Sequence, residues 1–312
     1  MLFDFAAVTA PFRMQPGLRR LAPGATQLTP NRLGDPALVE KLAILSRHAD
    51  QALLIAPGFD PVPALYALAR HAGIEHATAF SVDVDNRWHA HQLGWSVHGD
   101  AVDGDGPAEI GACLCALTPE WRAPALLALA FAEDFAVIDG AGATIPWLAV
   151  CLPSHWAPET KIGRHFAQVH SPVADNHVLI TASEHLARLV TGAERWERFV
   201  WTITRHPGLS QHPQRCSTAP WPADADADAD ALAERAFFRT ERQTFVPLPD
   251  HAQAIFTIGV EMRPLAVALA APAHARQVHD ALASMSPAVL AYRGLTDARD
   301  RLLEWLAARA AP

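Results

Sequence analysis

The order of helical and strand-like segments predicts an α+β fold: an antiparallel five-stranded sheet with its helices inserted after the second strand, and helical extensions at both ends. Three observations carry this. Two apolar strand patterns meet across a glycine-rich turn, helical patterns follow, and three further strand patterns come after them.

In chain order, PALVEKLAILSRHA (36–49) has helical spacing with proline in its first turn, and 61–72 reads as a second helix. AFSVDVDNRWHAHQLGWSVH (79–98) mixes alternation with turn residues and predicts a hairpin or a pair of loops. LLALAFAEDFAVID (126–139) and IPWLAVCL (145–152) read as strands joined by GAGAT. Helices are expected over 158–170 and, longer, over 176–190. RFVWTITR (198–205), FFRTERQTFV (237–246) and AIFTIGVEM (254–262) supply the last three strands. PWPADADADADA between the first two of these is a low-complexity acidic run, expected to be a solvated loop. The tail, 273–310, is helical. This is the element order of a PAS domain, in which inserted helices cover one sheet face and a ligand site lies between the two. The expected organisation is a mixed region over 1–120, the PAS-like core over 121–265 and C-terminal helices over 266–312, packed as one unit.

Composition narrows the class. Of 312 residues, 50% are hydrophobic and 19% charged, which describes a globular chain with a sizeable core. A net charge of -8 offers no global field for nucleic acid or anionic lipid. No apolar run reaches the roughly 18 residues of a membrane span, and the N-terminal run, interrupted by Asp4, is not a signal peptide. A cytoplasmic protein is expected. Cys113, Cys115, Cys151 and Cys216 have no cluster or zinc spacing, and the first three are expected as buried thiols. Electrons for any redox chemistry would have to come from another polypeptide.

The sequence holds 16 histidines against two tyrosines, which makes the histidines candidate ligands. In KIGRHFAQVHSPV (161–173), Ile162, Phe166 and Val169 form an apolar helical stripe flanked by His165 and His170 on opposite sides. At most one of these histidines can serve one metal ion. Pro172 ends the helix near His170, where a charge on the helix dipole is an alternative role. His89 and His91 share a strand face, with His98 nearby, and suit either a metal or a polar surface. His185 lies on the longer helix, and His206 before Pro207 reads as a turn residue. Glu133-Asp134 breaks an apolar strand, so one carboxylate turns inward, to pair with an arginine or to hold a cation. In Thr240-Glu241-Arg242-Gln243-Thr244, Glu241 and Gln243 share one face, and Arg242 shares the other with the threonines. One face then lines a polar pocket or an interface.

FRMQPGLRRL, AEDFAVID, CLPSHWAPETKIGRHFAQVHSPV, FVWTITRHPGL, FRTERQTFVPLP and IFTIGVEMRPL, in this order, resemble the haem-bearing alpha subunit of the haem-dependent oxidative N-demethylases. The resemblance is weakest over about 20–120 and most specific in the KIGR…H-x-PV block and the ERQT strand. It implies a haem-binding PAS fold and oxidation of a small secondary amine such as dimethylamine, with O2 activated at haem b iron. It also implies electrons from NADPH through FMN and 2Fe-2S centres on reductase-type partner subunits. It places the proximal iron ligand at His170, with His185 as the rival. Lys161, Arg164 and Arg242 become candidates for the haem propionates. Glu133 and Glu241 become candidates for an ammonium near iron, and Trp201 and Thr257 for pocket walls. His206, where many relatives are acidic, and the DVDNRWHAHQLGW region depart from the pattern and put the identity of the amine in question. A haem-based PAS gas or redox sensor, using His170 without an amine site, and a haem-free scaffold subunit are the alternatives.

Overall fold

The computed structural model describes residues 3–217, 221 and 228–311. Short strand β1 (Arg19–Arg20) precedes helix α1 (Pro36–Ala52), strand β2 (Leu53–Ile55) and helix α2 (Val62–Glu75). A meander follows: β3 (Phe80–Val82), β4 (Trp88–Ala90), β5 (Trp95–His98) and β6 (Ala101–Gly104). Then come α3 (Ala108–Ala116), α4 (Pro119–Ala130), β7 (Asp134–Asp139) and β8 (Thr144–Ala149). The inserted helices are α5 (Phe166–His170), α6 (His177–Thr181) and α7 (Ser183–Val190). Next are β9 (Trp196–Thr204), α8 (Ala229–Glu234), β10 (Phe237–Leu248) and β11 (Gln253–Pro264). The chain ends with α9 (Leu265–Ala268), α10 (Pro272–Ala283), α11 (Pro287–Tyr292) and α12 (Arg299–Ala310).

The fold is mixed α and β with antiparallel sheets. The five expected strands lie side by side, but two short strands extend them at the edges into a seven-stranded sheet, β1-β9-β10-β11-β7-β8-β2. Residues 80–104 form a separate four-stranded meander rather than one hairpin. Its register depends on Gly94, at φ +69°, where an added Cβ would stand 2.9 Å from the Gly106 Cα.

Several local expectations are corrected. Leu126–Ala130 is helical, not strand, and the strand starts only at Asp134. A continuous apolar run has no period to tell a buried helix from a buried strand, and here every residue from Pro124 to Ala130 is buried. The 158–170 segment is a 3-10 turn (Pro158–Thr160), a turn containing Gly163 at φ +68°, and a helix only from Phe166. The 176–190 segment is two helices broken at Ala182. Cys115 is exposed, while Cys113 and Cys151 are buried as expected. Most of the acidic run lies outside the described residues; Asp228 near its end caps α8 by accepting from the Ala231 N–H at 2.7 Å. Among the described residues, no helix is long and apolar enough to cross a membrane.

The alternation of strand side chains divides the core in two. Phe135 and Val137 of β7 pack with Leu38 and Leu45 of α1 and Leu68 of α2. Ala136 and Ile138 pack on the other side with Ile162, Val169 and Val190 from the inserted segment. The N-terminal layer and the inserted helices therefore cover opposite faces of one sheet. The C-terminal helices pack with Trp201, Ile203 and Phe238.

Candidate functional site

The register of β9, β10 and β11 sorts the candidate residues by face. Residues directly opposite in antiparallel strands project to the same side. Arg198 faces Gln243, Val200 faces Glu241 and Trp196 faces Phe245. Across the next ladder Gln243 faces Ile258 and Glu241 faces Val260. These residues share the side on which Phe245 and Phe256 pack with Val169 of α5, referred to below as the helix side. Phe199 faces Arg242, Trp201 faces Thr240 and Thr244 faces Thr257. Those residues point to the opposite side. Of the sequence candidates, Glu241 is brought to the side of α5, and Trp201, Thr257 and Arg242 are not.

Each of the three has a different occupation. The Thr257 and Thr244 hydroxyls are 2.7 Å apart, and the Gln27 amide donates to Thr244 at 2.9 Å. Arg242 pairs with Glu197 at 3.0 Å and donates to the Thr26 carbonyl, so it is not free for a propionate. Trp201 stacks on Phe238 and has the Arg293 guanidinium over its ring at 5.5 Å. Glu133 accepts from the Thr29 N–H at 2.8 Å, and burial raises its pKa. It fastens the N-terminal segment. Both members of the Glu133-Asp134 pair are buried, and the inward partner is a lysine rather than an arginine: Lys41 reaches Asp134 at 3.2 Å with both side chains fully buried.

His165 is the N-cap of α5. Its Nδ1 accepts from the Ala167 N–H at 3.2 Å, and Gln168 returns a bond to its backbone, a capping box. That use removes it as a ligand. His170 ends the same helix four residues beyond Phe166, which is why its Nδ1 reaches the Phe166 carbonyl at 2.8 Å. A carbonyl only accepts, so the proton sits on Nδ1 and the Nε2 lone pair points away. Burial, with Arg198 and Lys161 nearby, pushes the His170 pKa down to about 4. The ring is neutral at pH 7. A neutral imidazole with one N–H fixed by an acceptor is the form that binds a metal through its other nitrogen. The rival His185 is exposed on α7.

Lys161 donates to the Val169 carbonyl at 2.8 Å. It lines a cleft of about 300 Å³ with Arg164, Gln168 and Ser171, beside the His170 end of α5. Arg198 was not singled out from sequence. It is half-buried, its Nε is shut from solvent, and it makes no hydrogen bond or ion pair among the described residues. The Trp196 indole N–H, two residues earlier on the same face, is likewise buried without a partner. Alternation in RFVWTITR placed Arg198 opposite Trp201 and was the available signal. Glu241 is 8% exposed; it accepts from the Ser154 hydroxyl and from the Gln243 amide at 2.6 Å. Ser154 is itself held by Arg239, which donates to it at 2.7 Å.

His89, His91 and His206 have local partners. His89 lies 2.8 Å from Ser96 and 3.3 Å from Asp83, and its ring stacks on His91. Among the described residues no group of three or more His, Cys, Asp or Glu is arranged to hold a metal ion. The His206 N–H donates to the Thr204 hydroxyl at 3.2 Å, as a turn residue does.

The donor set fits a haem: one neutral histidine with its outer nitrogen fixed, and unpaired buried donors at Arg198 and Trp196 on the facing sheet. A family model described as haem-dependent oxidative N-demethylase, alpha subunit-like, matches residues 40–303.

Proposed function

The chain belongs to the haem-dependent oxidative N-demethylase, alpha subunit-like family, and from that premise we propose that it binds haem b between α5 and the sheet and oxidatively N-demethylates a small amine. The observation that carries the reading is the His170 ring, locked by the Phe166 carbonyl so that Nε2 is the metal-binding atom. Strand order supports the PAS likeness. The five consecutive strands read β8-β7-β11-β10-β9, second-first-fifth-fourth-third along the chain, with α5 to α7 inserted between second and third.

His170 would hold the iron, and Lys161 and Arg164 would meet the anionic edge of the haem. Haem, when bound, supplies the iron at which O2 is activated. The protein's own part is electrostatic. The Glu241 carboxylate, on the same face as Arg198, attracts the ammonium form of the amine to the helix side of the sheet. Ser154 and Gln243 fix the direction of its carboxylate. A sensor would have no need of that carboxylate. The overall reaction balances as amine, O2, two electrons and two protons giving the demethylated amine, formaldehyde and water. The electrons come from NADPH through FMN and 2Fe-2S centres on reductase-type partner subunits.

The test is formaldehyde formation by haem-loaded protein given O2, a reductant and dimethylamine. One formaldehyde per amine consumed supports the proposal. Haem loading with no amine-dependent formaldehyde from any methylamine would reduce it to a sensor.

A further inference from the structure

Arg198 and Glu241 are opposite charges on one sheet face that do not meet. Arg198 is registered against Gln243, two residues from Glu241, so the two are diagonal neighbours, with Cα atoms about 7–8 Å apart. Glu241 is occupied by Ser154 and Gln243. An ionised carboxylate has about four acceptor positions, so it retains room for a donor. Arg198 has no hydrogen-bond or ion-pair partner among the described residues, and its Nε is closed to solvent. A guanidinium so placed is costly unless an anion reaches it. Both residues lie on the face toward α5 and His170, where the proposed chemistry takes place. Lys161, also near His170, donates one N–H to the Val169 carbonyl and is the cation assigned above to the haem edge.

A simple dialkylammonium ion satisfies only Glu241 and is repelled by Arg198. A molecule carrying an ammonium and a carboxylate on neighbouring carbons satisfies both. We infer that the substrate amine bears its own carboxylate: an N-methylated α-amino acid, held at the carboxylate by Arg198 and at the ammonium by Glu241. This rests on the demethylase reading above and narrows its substrate class. The guanidinium fork matches a carboxylate with two parallel N–H bonds, which gives orientation as well as affinity. Val200, Ile258 and Val260 are registered to the same face and make the surroundings of the two charges apolar.

The experiment is calorimetry on the haem-loaded protein with three probes: N-methylglycine, dimethylamine and acetate. N-methylglycine is expected to bind about tenfold or more tightly than either of the others, the worth of one charge-assisted contact. In Arg198→Gln the preference should invert: N-methylglycine weakens by about tenfold and dimethylamine tightens as the repelling cation is removed. Wild-type protein that binds dimethylamine as tightly as N-methylglycine overturns the inference without recourse to a variant. So does an Arg198→Gln protein that loses haem affinity while keeping its amine preference, because the anion at Arg198 is then a haem propionate. Absence of formaldehyde from every amine, with the binding preference intact, would overturn the demethylase reading and with it the substrate assignment, leaving Arg198 and Glu241 as a binding site for N-methylated amino acids.

Discussion

The two faces of the β9-β10-β11 sheet are built from the same strands, yet they are finished differently. On the N-terminal side the polar groups mostly close on one another: Thr257 with Thr244 and the Gln27 amide N–H, and Arg242 with Glu197, while the Gln27 Oε1 is buried without a partner among the described residues. At the start of β7, Asp134 is met by Lys41 of α1, which the carbonyls of Ala128 and Phe131 also ring. On the helix side, Arg198 and Trp196 keep buried donors without partners among the described residues, and His170 presents an open Nε2. Buried polar groups are ordinarily paired, so a face that leaves donors open is shaped for something besides its own stability. The closed face holds the sheet together, and the open face is where we place binding.

That contrast can be broken by experiment. The largest effect is expected at the buried pair of Lys41 and Asp134. Lys41→Ala strands the Asp134 carboxylate in the core and should cost about 3–5 kcal/mol in urea unfolding; a loss below about 1 kcal/mol would show that the pair is not structural. An acid effect comes next. The folded-state pKa values of His170 and His155 are both pushed down to about 4 from 6.5, chiefly by burial. Between those values the unfolded chain binds more protons, so stability of the haem-free protein is full above pH 6.5 and falls as pH drops toward 4. His170→Phe should flatten part of that fall, and an unchanged pH profile would contradict a neutral buried ring.

Smaller effects separate binding from folding. Glu241→Gln removes the carboxylate's charge but little volume. Amine affinity should weaken by about tenfold, the loss of one charge-assisted bond, with haem content unchanged; equal affinity would remove Glu241 from the amine site. Thr257→Val should cost about 1 kcal/mol of stability through the Thr244 bond and leave haem binding and amine affinity as they were. An altered haem spectrum in that variant would place Thr257 on the open face after all.

Legibility followed the same division. Strand alternation was readable where one face is polar: β9, β10 and β11 fall at or near their expected limits, and Glu241 and Gln243 share a face as expected. Which face meets the inserted helices was not readable, because both carry polar residues. Alternation alone therefore leaves Trp201, Thr257 and Arg242 as pocket candidates and does not distinguish Arg198. The 126–130 helix was hidden by uniform burial, which erases periodicity. The two edge strands are only two and three residues long, too short to leave a pattern. His170 stood out through the H-x-PV resemblance, and the Phe166 carbonyl that fixes its ring became visible only once α5 proved to begin at Phe166.

The most direct test of the open face is the visible absorption spectrum of haem-reconstituted protein, wild type beside His170→Ala and His185→Ala. The account predicts a strong Soret band in the wild type, unchanged in His185→Ala and lost or shifted in His170→Ala. A band that survives His170→Ala unchanged would contradict it.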